Sequence, residues 1–285
     1  MEVAILMTCH DRRERTLSCL LDCYRQIDGL KGNDAYSFDC WVVDDGSSDG
    51  TYEAISQEFP QVHLIKADGN LFWNQGMRLA WTRASQEKDY DFYIWLNDDI
   101  RLREWALAAM LETSEFFKHR AIVAGTAVDS EGRYSYGGRT KSMKIVEPDP
   151  VIPLPCYMFN GNLVLVPRSA YQILGNLDDA YSHSFGDYDY GVRALRHGIP
   201  RVVCPGVLCE CDRNAGIPKW RDASYPLKAR FSYLLSPKGR PPKEQFLFDI
   251  RLMGIVRAML HNISINLKML FPLKNSSRRT NDEQD

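Results

Sequence analysis

The stretch that decides the fold is Phe38-Asp39-Cys40-Trp41-Val42-Val43-Asp44-Asp45-Gly46-Ser47-Ser48-Asp49-Gly50-Thr51. Its apolar first half predicts a strand over residues 38–43 that is buried on both faces. The glycines, serines and acids that follow predict tight turns before a helix. A carboxylate at the end of such a strand, here Asp45, can accept hydrogen bonds from a nucleobase or a ribose. For Ser47, Ser48 and Asp49, turn formation and helix capping are the favoured explanation.

The rest of the chain alternates short apolar runs with stretches of helical periodicity. Strands are predicted at residues 3–7, 38–43, 62–65, 92–96, 122–124, 162–166 and 201–204. Among the predicted helices are residues 51–59, residues 73–85 with Asn74 as N-cap, and residues 187–197. Repeated β–α units of this length predict a parallel, doubly wound sheet, which binds ligands beyond the carboxyl ends of its strands.

Length and composition indicate one large α/β domain with an appendage. The chain has 285 residues, of which 45% are apolar and 25% charged, an ordinary globular balance. We expect a catalytic domain over residues 1–225 and a helical extension over 226–285, with a long loop or hairpin at 129–155 and disorder at 275–285. The net charge of −2 gives no electrostatic basis for binding nucleic acid.

The eight cysteines are spread through the chain, a usage typical of reduced core thiols in a cytoplasmic protein. The apolar start of the chain is only as long as a strand, so no signal peptide is predicted. Cys204, Cys209 and Cys211 leave a zinc site as an alternative, although the second pair of ligands that such sites use is missing.

A second acidic cluster, Asn97-Asp98-Asp99, follows the predicted strand at residues 92–96. Adjacent acids at the end of a buried strand are costly unless they meet a cation or strong donors. A hard divalent ion such as Mg²⁺ or Mn²⁺, itself bridging substrate phosphates, is the natural partner. Helix capping is the alternative explanation.

A third cluster, Gly186-Asp187-Tyr188-Asp189, opens the predicted helix at residues 187–197. The helix dipole favours carboxylates at this end, so paired capping competes with function, most strongly for Asp189. For Asp187 a role as general base is favoured once the other two acidic clusters are considered.

In this order, the clusters resemble the family 2 glycosyltransferases of the GT-A fold. The matching segments are Thr8-Cys9-His10-Asp11-Arg12, residues 43–51, Gly69-Asn70 followed by Gly76, Asn97-Asp98-Asp99, and Asp187 with Asp189 and Arg193. The resemblance extends over residues 3–211. It implies a Rossmann-like α/β domain with a mixed, mostly parallel sheet, followed here by the C-terminal helical appendage.

Carried over residue by residue, the resemblance implies a nucleotide-sugar site. Thr8 and Asp45 would hold the base and ribose, Asp98 and Asn97 would lie near the ribose and diphosphate, and Asp99 would bind Mg²⁺ or Mn²⁺. Asp187 would deprotonate an acceptor hydroxyl, which then attacks the anomeric carbon and inverts its configuration. Supporting positions are Arg12, Asp189 and Arg193.

The donor and acceptor follow from the same resemblance. The segment that contains Asn70 and Trp73 is similar to one in rhamnosyltransferases and in some galactofuranosyltransferases, so a dTDP- or UDP-sugar, and rhamnose in particular, is the expected donor. Trp73 would then line the sugar pocket; a place in the core explains it equally well. The expected acceptor is a glycan or lipid-linked glycan in surface polysaccharide synthesis.

This sequence departs from the family pattern at three places. Asn97 stands where the family has the first acid of its DxD motif, and Gly186 stands where a glutamate commonly precedes the base. The late metal-binding histidine is not evident, since Cys209, Cys211 and Asp212 occupy that region. An inactive domain that only binds a nucleotide sugar or a partner is therefore an alternative. A nucleotidyltransferase is a weaker one, because the segment after the first strand lacks a glycine-rich phosphate loop.

The C-terminal extension mixes large apolar and basic residues over positions 246–273. This pattern suits a helix at an anionic membrane surface on the inner face of the cell membrane. A helix packed on the catalytic domain or at a homodimer interface explains the pattern at least as well.

Overall fold

The computed structural model describes residues 1–30, 35–213 and 216–273. The strands are β1 (Glu2–Cys9), β2 (Ser37–Asp44), β3 (His63–Lys66), β4 (Phe92–Leu96), β5 (Arg101–Leu102), β6 (Ile122–Ala124), β7 (Ala127–Val128), β8 (Tyr134–Tyr136), β9 (Gly138–Arg139), β10 (Leu154–Pro155), β11 (Met158–Phe159), β12 (Leu163–Pro167), β13 (Arg201–Val203) and β14 (Cys209–Glu210). The helices are α1 (Arg13–Leu30), α2 (Thr51–Glu58), α3 (Phe72–Glu87), α4 (Ala106–Phe116), α5 (Arg168–Leu174), α6 (Gly186–Arg196), α7 (Leu227–Leu235), α8 (Pro242–Met253) and α9 (Ile255–Leu270).

The main sheet has eight strands in the order β10-β13-β6-β12-β4-β1-β2-β3. Strand β1 is parallel to both β2 and β4, and β2 is parallel to β3. Strand β12 runs antiparallel to both β4 and β6. The β–α repetition predicts an all-parallel sheet. That prediction is wrong at β12 and at β10, which pairs antiparallel with β13. A parallel neighbour needs a crossover connection, usually a helix, and the chain between β6 and β12 forms short strands instead. The mixed sheet that the family resemblance implies is confirmed.

The core lies on both faces of the sheet, as the apolar run of β1 predicts. Alternate residues of a strand point to opposite faces. Val3, Ile5 and Met7 accordingly share one buried cluster with residues of α1 and α4. Leu6 and Ala4 share another with residues of α3. Helices on both faces leave the carboxyl ends of the strands as the place for a site.

Residues 129–155, the expected loop or hairpin, contribute short strands. β8 pairs with β7 in a four-stranded sheet of order β5-β14-β7-β8, and β9 pairs with β11. β10 is an edge strand of the main sheet. This segment is thus tied into the fold by pairings between residues far apart in sequence.

The chain divides into two compact units. The first contains residues 1–182 and 186–213, and the second contains residues 183–185 and the described part of the chain after residue 213. The boundary at residue 225 that we expected from the sequence remains a prediction. Residues 275–285, for which disorder is predicted, lie outside the described residues.

In the second unit, α7 and α9 enclose a small core of Trp220, Leu234, Ile265 and Met269. The single helix expected within residues 246–273 is wrong, because Gly254 separates α8 from α9. Gly254 has φ 83°, a backbone conformation that interrupts a right-handed helix and that glycine adopts readily. None of the described helices is both long enough and apolar enough to cross a bilayer.

Candidate active site

Three parallel strands bring the predicted site residues to one edge of the sheet. In the register of β1 with its neighbours, Cys9 lies opposite Asp44, and Leu6 lies opposite Trp95. The segments that follow these strands begin at His10, Asp45 and Asn97, so they leave the sheet at the same edge. Thr8, the last residue but one of β1, is buried there with its side chain against Gly76 of α3.

Asp45 organises the loop that precedes α3. Its carboxylate accepts hydrogen bonds from the backbone amides of Gly69 (3.0 Å), Leu71 (3.0 and 3.1 Å) and Phe72 (2.8 Å), and the residue is 3% exposed. The three amides make four contacts, because the Leu71 amide is shared between both oxygens, and a carboxylate offers four acceptor positions. A nucleotide would have to replace one of them to contact Asp45. Asn70, in the same loop, is exposed, and its own amide donates to Asp68.

Asp44 is a further candidate for nucleotide binding that the sequence did not single out. It is fully buried, and one carboxylate oxygen, Oδ1, accepts from the amide of Ser47 at 2.7 Å. The other oxygen, Oδ2, is buried and has no hydrogen-bond partner within the described part of the chain. A buried acceptor without a donor is costly, so it marks a place where a ligand N–H or O–H would be favoured.

Arg12 joins the two acids after β4. Its Nη1 lies 3.0 Å from Asp98 Oδ1 and 2.7 Å from Asp99 Oδ2. Burial raises the pKa of Asp98 to about 7, and the guanidinium of Arg12 acts in the opposite direction. Two adjacent carboxylates thus share one cation, and Arg12 itself is exposed. The helix-capping alternative does not account for this ion pairing.

Asn97 bonds to Trp73. The indole Nε1 of Trp73 donates to Asn97 Oδ1 at 2.8 Å, so the oxygen at the first DxD position is engaged by the protein itself. The far edge of the same indole covers Gly161, where a Cβ would lie 2.6 Å from the ring atoms. Trp73 therefore spans the distance between the DxD segment and the loop before β12.

Asp187 is the second residue of α6 and is held on both sides by amides. Its Oδ2 accepts from the amide of Gly161 at 2.8 Å, and its Oδ1 accepts from the amide of Tyr188 at 2.8 Å. Burial raises the pKa of Asp187 to about 6, although these two amides lower it. Within the described part of the chain, no cation contacts the side chain of Asp187, in contrast to Asp98 and Asp99. A carboxylate of this pKa is mostly ionised at neutral pH and is still basic enough to accept a proton.

Asp189 and Arg193 tie α6 to the loop before it. Asp189 is fully buried; its Oδ2 lies 3.0 Å from Arg193 Nε, and its Oδ1 accepts from the hydroxyl of Tyr181. Arg193 in turn donates to the carbonyls of Leu174 and Asn176. These contacts place the pair in the support of the helix that carries Asp187, with no free group turned to a ligand.

Asn74 is not the cap of α3, because the helix begins at Phe72 and Asn74 lies inside it. Its Nδ2 donates instead to the carbonyls of Asp178 (2.9 Å) and Tyr181 (2.7 Å). Its Oδ1 fills the space in which a Cβ at Gly186 would lie. The glycine at this position, where the family commonly has glutamate, is thus explained by Asn74. Only the tertiary structure shows that Asn74 takes the space beside Gly186.

The residues fit a divalent ion that is shared with a diphosphate. Mg²⁺ is commonly bound by one or two carboxylates together with substrate phosphates, and Asp98 and Asp99 supply that number. Within the described residues, no cluster of three or more His, Cys, Asp or Glu is placed to hold a metal alone. Cys211 Sγ lies 3.9 Å from Asp99 Oδ1, and burial together with Asp99 raises the pKa of this thiol to about 12. In the absence of a metal such a thiol stays protonated.

The zinc alternative finds no support at the three late cysteines. Cys204 bonds with the hydroxyl of Thr113 at 3.2 Å, and all eight cysteines are free and buried. Mostly parallel α/β sheets of this class bind their ligands beyond the carboxyl ends of the strands, where these acids lie.

The family-model comparison identifies the class more closely. The model for glycosyl transferase family 2 matches residues 4–175, more than half of the chain. The chain therefore belongs to glycosyl transferase family 2 and is an enzyme of that family. This assignment replaces the nucleotidyltransferase alternative. A search of curated proteins found no match.

Solved structures show the same fold. S. aureus TarS 1–349 in complex with UDP-GlcNAc is similar with a TM-score of 0.59 and 12% identity, over 95% of this chain and 72% of that one. The complex of the same protein with UDP gives a TM-score of 0.57 and 11% identity, over 95% and 71%. At such low identity the likeness concerns the fold alone.

Proposed function

We propose that this enzyme is an inverting glycosyltransferase that moves a sugar from a dTDP- or UDP-linked donor to a hydroxyl of a glycan. The observation that carries the proposal is Asp187: a carboxylate with a pKa of about 6 at the same sheet edge as the paired acids Asp98 and Asp99. The complexes of TarS with UDP-GlcNAc and UDP support a nucleotide-sugar donor for this fold.

In the proposed reaction, Asp187 accepts the proton of the acceptor hydroxyl. The hydroxyl oxygen then forms a bond to the anomeric carbon from the face opposite the diphosphate. The bond between that carbon and the diphosphate oxygen breaks, and the nucleoside diphosphate leaves with the electron pair. One displacement inverts the anomeric configuration. Gly161 and Tyr188 hold the carboxylate of Asp187 in place by their amides.

The donor would lie along the edge between β1 and β4. We assign the base and ribose to Thr8 and Asp44, since Asp45 is saturated by amides. Asp99, with Asp98, would hold Mg²⁺ or Mn²⁺, which when bound stabilises the negative charge that builds on the departing diphosphate. Arg12, which pairs with both acids, would pair with a phosphate of the donor once a metal ion neutralises those acids.

For the sugar we propose rhamnose, with Trp73 as the wall of its pocket. The indole is fixed at its Nε1 by Asn97 and reaches Gly161, beside Asp187. An apolar ring so placed suits a 6-deoxy sugar, which has a methyl group where other hexoses have a hydroxymethyl group. N-acetylglucosamine is the competing sugar, since TarS has been solved with its UDP derivative.

For the acceptor we propose a surface glycan or its lipid-linked precursor, glycosylated in the cytoplasm. The free, buried thiols described above fit a reducing compartment. A second candidate function is nucleotide-sugar binding without turnover. It is favoured by Asn97, whose oxygen is engaged by Trp73, and by the missing carboxylate at Gly186.

The test is a thermal-shift panel of dTDP, UDP, GDP and ADP with and without Mn²⁺, followed by donor turnover. A ligand at 100 times its dissociation constant adds about 2.7 kcal/mol of stability, which is readily seen in the melting temperature. We expect a Mn²⁺-dependent shift with dTDP or UDP, and consumption of dTDP-rhamnose with an acceptor panel. Binding without consumption of any donor would favour the second candidate, and no shift with any nucleotide would refute both.

A further inference from the structure

The helix α9 carries an apolar face that the rest of the described chain leaves open. Among the described residues, most of the exposed large apolar side chains lie in the second unit, and α9 contributes the longest row of them. This row consists of Val256 (68% exposed), Met259 (53%), Leu260 (63%), Ile263 (55%), Leu267 (49%) and Leu270 (49%). At 3.6 residues per turn these positions fall within an arc of about 100° and extend over about 21 Å. Phe271, which follows, is 78% exposed.

The opposite face of α9 is firmly packed, so the open face has a fixed direction. Ile265 and Met269 are buried in the core of the second unit. The backbone carbonyl of Met269 accepts from Arg230 at 2.7 Å, and His261 Nδ1 lies 2.7 Å from Asp249 Oδ2 on α8. The helix is therefore seated by its inner face while its outer face presents a continuous apolar row. Monomeric proteins rarely expose such a patch unless it is the binding site of a partner or a membrane.

The charges beside the apolar row indicate which kind of surface covers the row. The sequence contains no Asp or Glu from Arg251 to Thr280, whereas Arg257 and Lys268 lie beside the apolar row and are exposed. Two copies related by a twofold axis would bring these like charges together, which disfavours a dimer through this face. An anionic lipid surface provides both an apolar layer and opposite charge.

We propose that the outer face of α9 binds an anionic membrane surface, with the apolar row in the interface and Arg257 and Lys268 at the lipid headgroups. The helix lies in the plane of the interface and does not cross it, in accord with its polar inner contacts and its length. The proposal stands apart from the proposed donor and reaction, because no residue of the catalytic site takes part in it.

The test is co-sedimentation of the full chain with vesicles of phosphatidylcholine alone or with about 30% phosphatidylglycerol. We expect binding to the anionic vesicles that weakens as salt rises. The double variant Leu260→Glu/Leu267→Glu should lower the partition at least about 10-fold, since two apolar side chains are lost from the interface. Arg257→Gln/Lys268→Gln should weaken binding to the anionic vesicles only, by about 5-fold per residue.

The matched control is Val151→Glu/Ile152→Glu, which places the same two charges at exposed apolar positions of the first unit (77% and 56% exposed). It should bind vesicles like the unmodified protein, and all variants should keep the same nucleotide-induced thermal shift. Unmodified protein that stays in solution with both kinds of vesicle, or a Leu260→Glu/Leu267→Glu variant that binds unchanged, would overturn the proposal. A dimer in light scattering that this variant splits, without vesicle binding, would assign the face to a second copy.

Discussion

Replacing Asp187 by asparagine should abolish activity and stabilise the fold at the same time. Asn has the same shape, but its one amide oxygen can accept from only one of the Gly161 and Tyr188 amides, so part of the gain in stability is offset by a lost hydrogen bond. General-base catalysis contributes about 100- to 10,000-fold, and we expect kcat to fall by that range. The folded-state pKa of about 6 lies above the ordinary 3.8, so the ionised carboxylate destabilises the fold at neutral pH by up to about 3 kcal/mol.

The sign of the pH dependence follows from the same pKa. Because the folded protein binds the proton more tightly than the unfolded chain, the stability that Asp187 contributes is present below pH 4 and is lost as pH rises through about 6. At pH 8, the free energy of unfolding of Asp187→Asn in urea should therefore exceed that of the unmodified enzyme by about 1–3 kcal/mol. Near pH 4 the two proteins should be about equally stable. In the unmodified enzyme, kcat should fall tenfold per pH unit below about 6.

Asp189→Asn is the matched control, two residues along the same helix. It removes a charge that Arg193 pairs in a fully buried place, so it should destabilise the fold by about 3–5 kcal/mol at pH 8. If Asp187→Asn were also destabilising at pH 8, or if its activity were within a few-fold of the unmodified enzyme, the assignment of Asp187 as a buried base would be refuted.

Three further predictions concern the rest of the site. Asp99→Ala should remove the Mn²⁺-dependent part of the nucleotide thermal shift and lower kcat at least about 100-fold, while nucleotide binding without metal persists; an unchanged Mn²⁺ response would contradict its role. Asp45→Ala should cost about 3 kcal/mol in urea unfolding, because the amides of Gly69, Leu71 and Phe72 lose their acceptor, and unchanged stability would show that the loop does not depend on it. Gly186→Ala should destabilise the fold by about 1–3 kcal/mol, because the added Cβ meets Asn74. Gly29→Ala in α1, with open space around the added Cβ, should be neutral or stabilising. Equal effects of the two substitutions would refute the packing explanation.

The strands that build the site edge could be predicted from the sequence. Residues 3–7, 38–43 and 92–96 fall within β1, β2 and β4, because a strand buried on both faces is a continuous apolar run that polar turn residues end sharply. The acids after each run are then placed at one edge by topology alone. That is why Asp45, Asp98 and Asp99 could be chosen before the fold was known.

The direction of β12 and the partners of Asn74 could not be predicted in this way. A short apolar run has the same pattern in either direction, so the antiparallel placement of β12 depends on how residues 125–162 return to the sheet. Asn74 stands where a helix cap is expected, but carbonyls about a hundred positions away, at Asp178 and Tyr181, determine its orientation. Gly161, which supplies an amide to Asp187, follows β11 and has no distinctive local signal in the sequence.

The acids of the site differ in how completely the protein satisfies them, and this ranks them for reactivity. Asp45 accepts from backbone amides, and Asp189 is satisfied by the half-buried guanidinium of Arg193 and a hydroxyl, so both carboxylates help to hold the scaffold. Asp98 and Asp99 share the exposed, flexible Arg12, a partner that an incoming cation can displace without breaking the fold. Asp187 accepts from two amides, and no cation among the described residues contacts its carboxylate, so burial keeps its pKa raised to about 6. A carboxylate with a raised pKa that no cation holds is able to accept a proton, and that is the property a base requires.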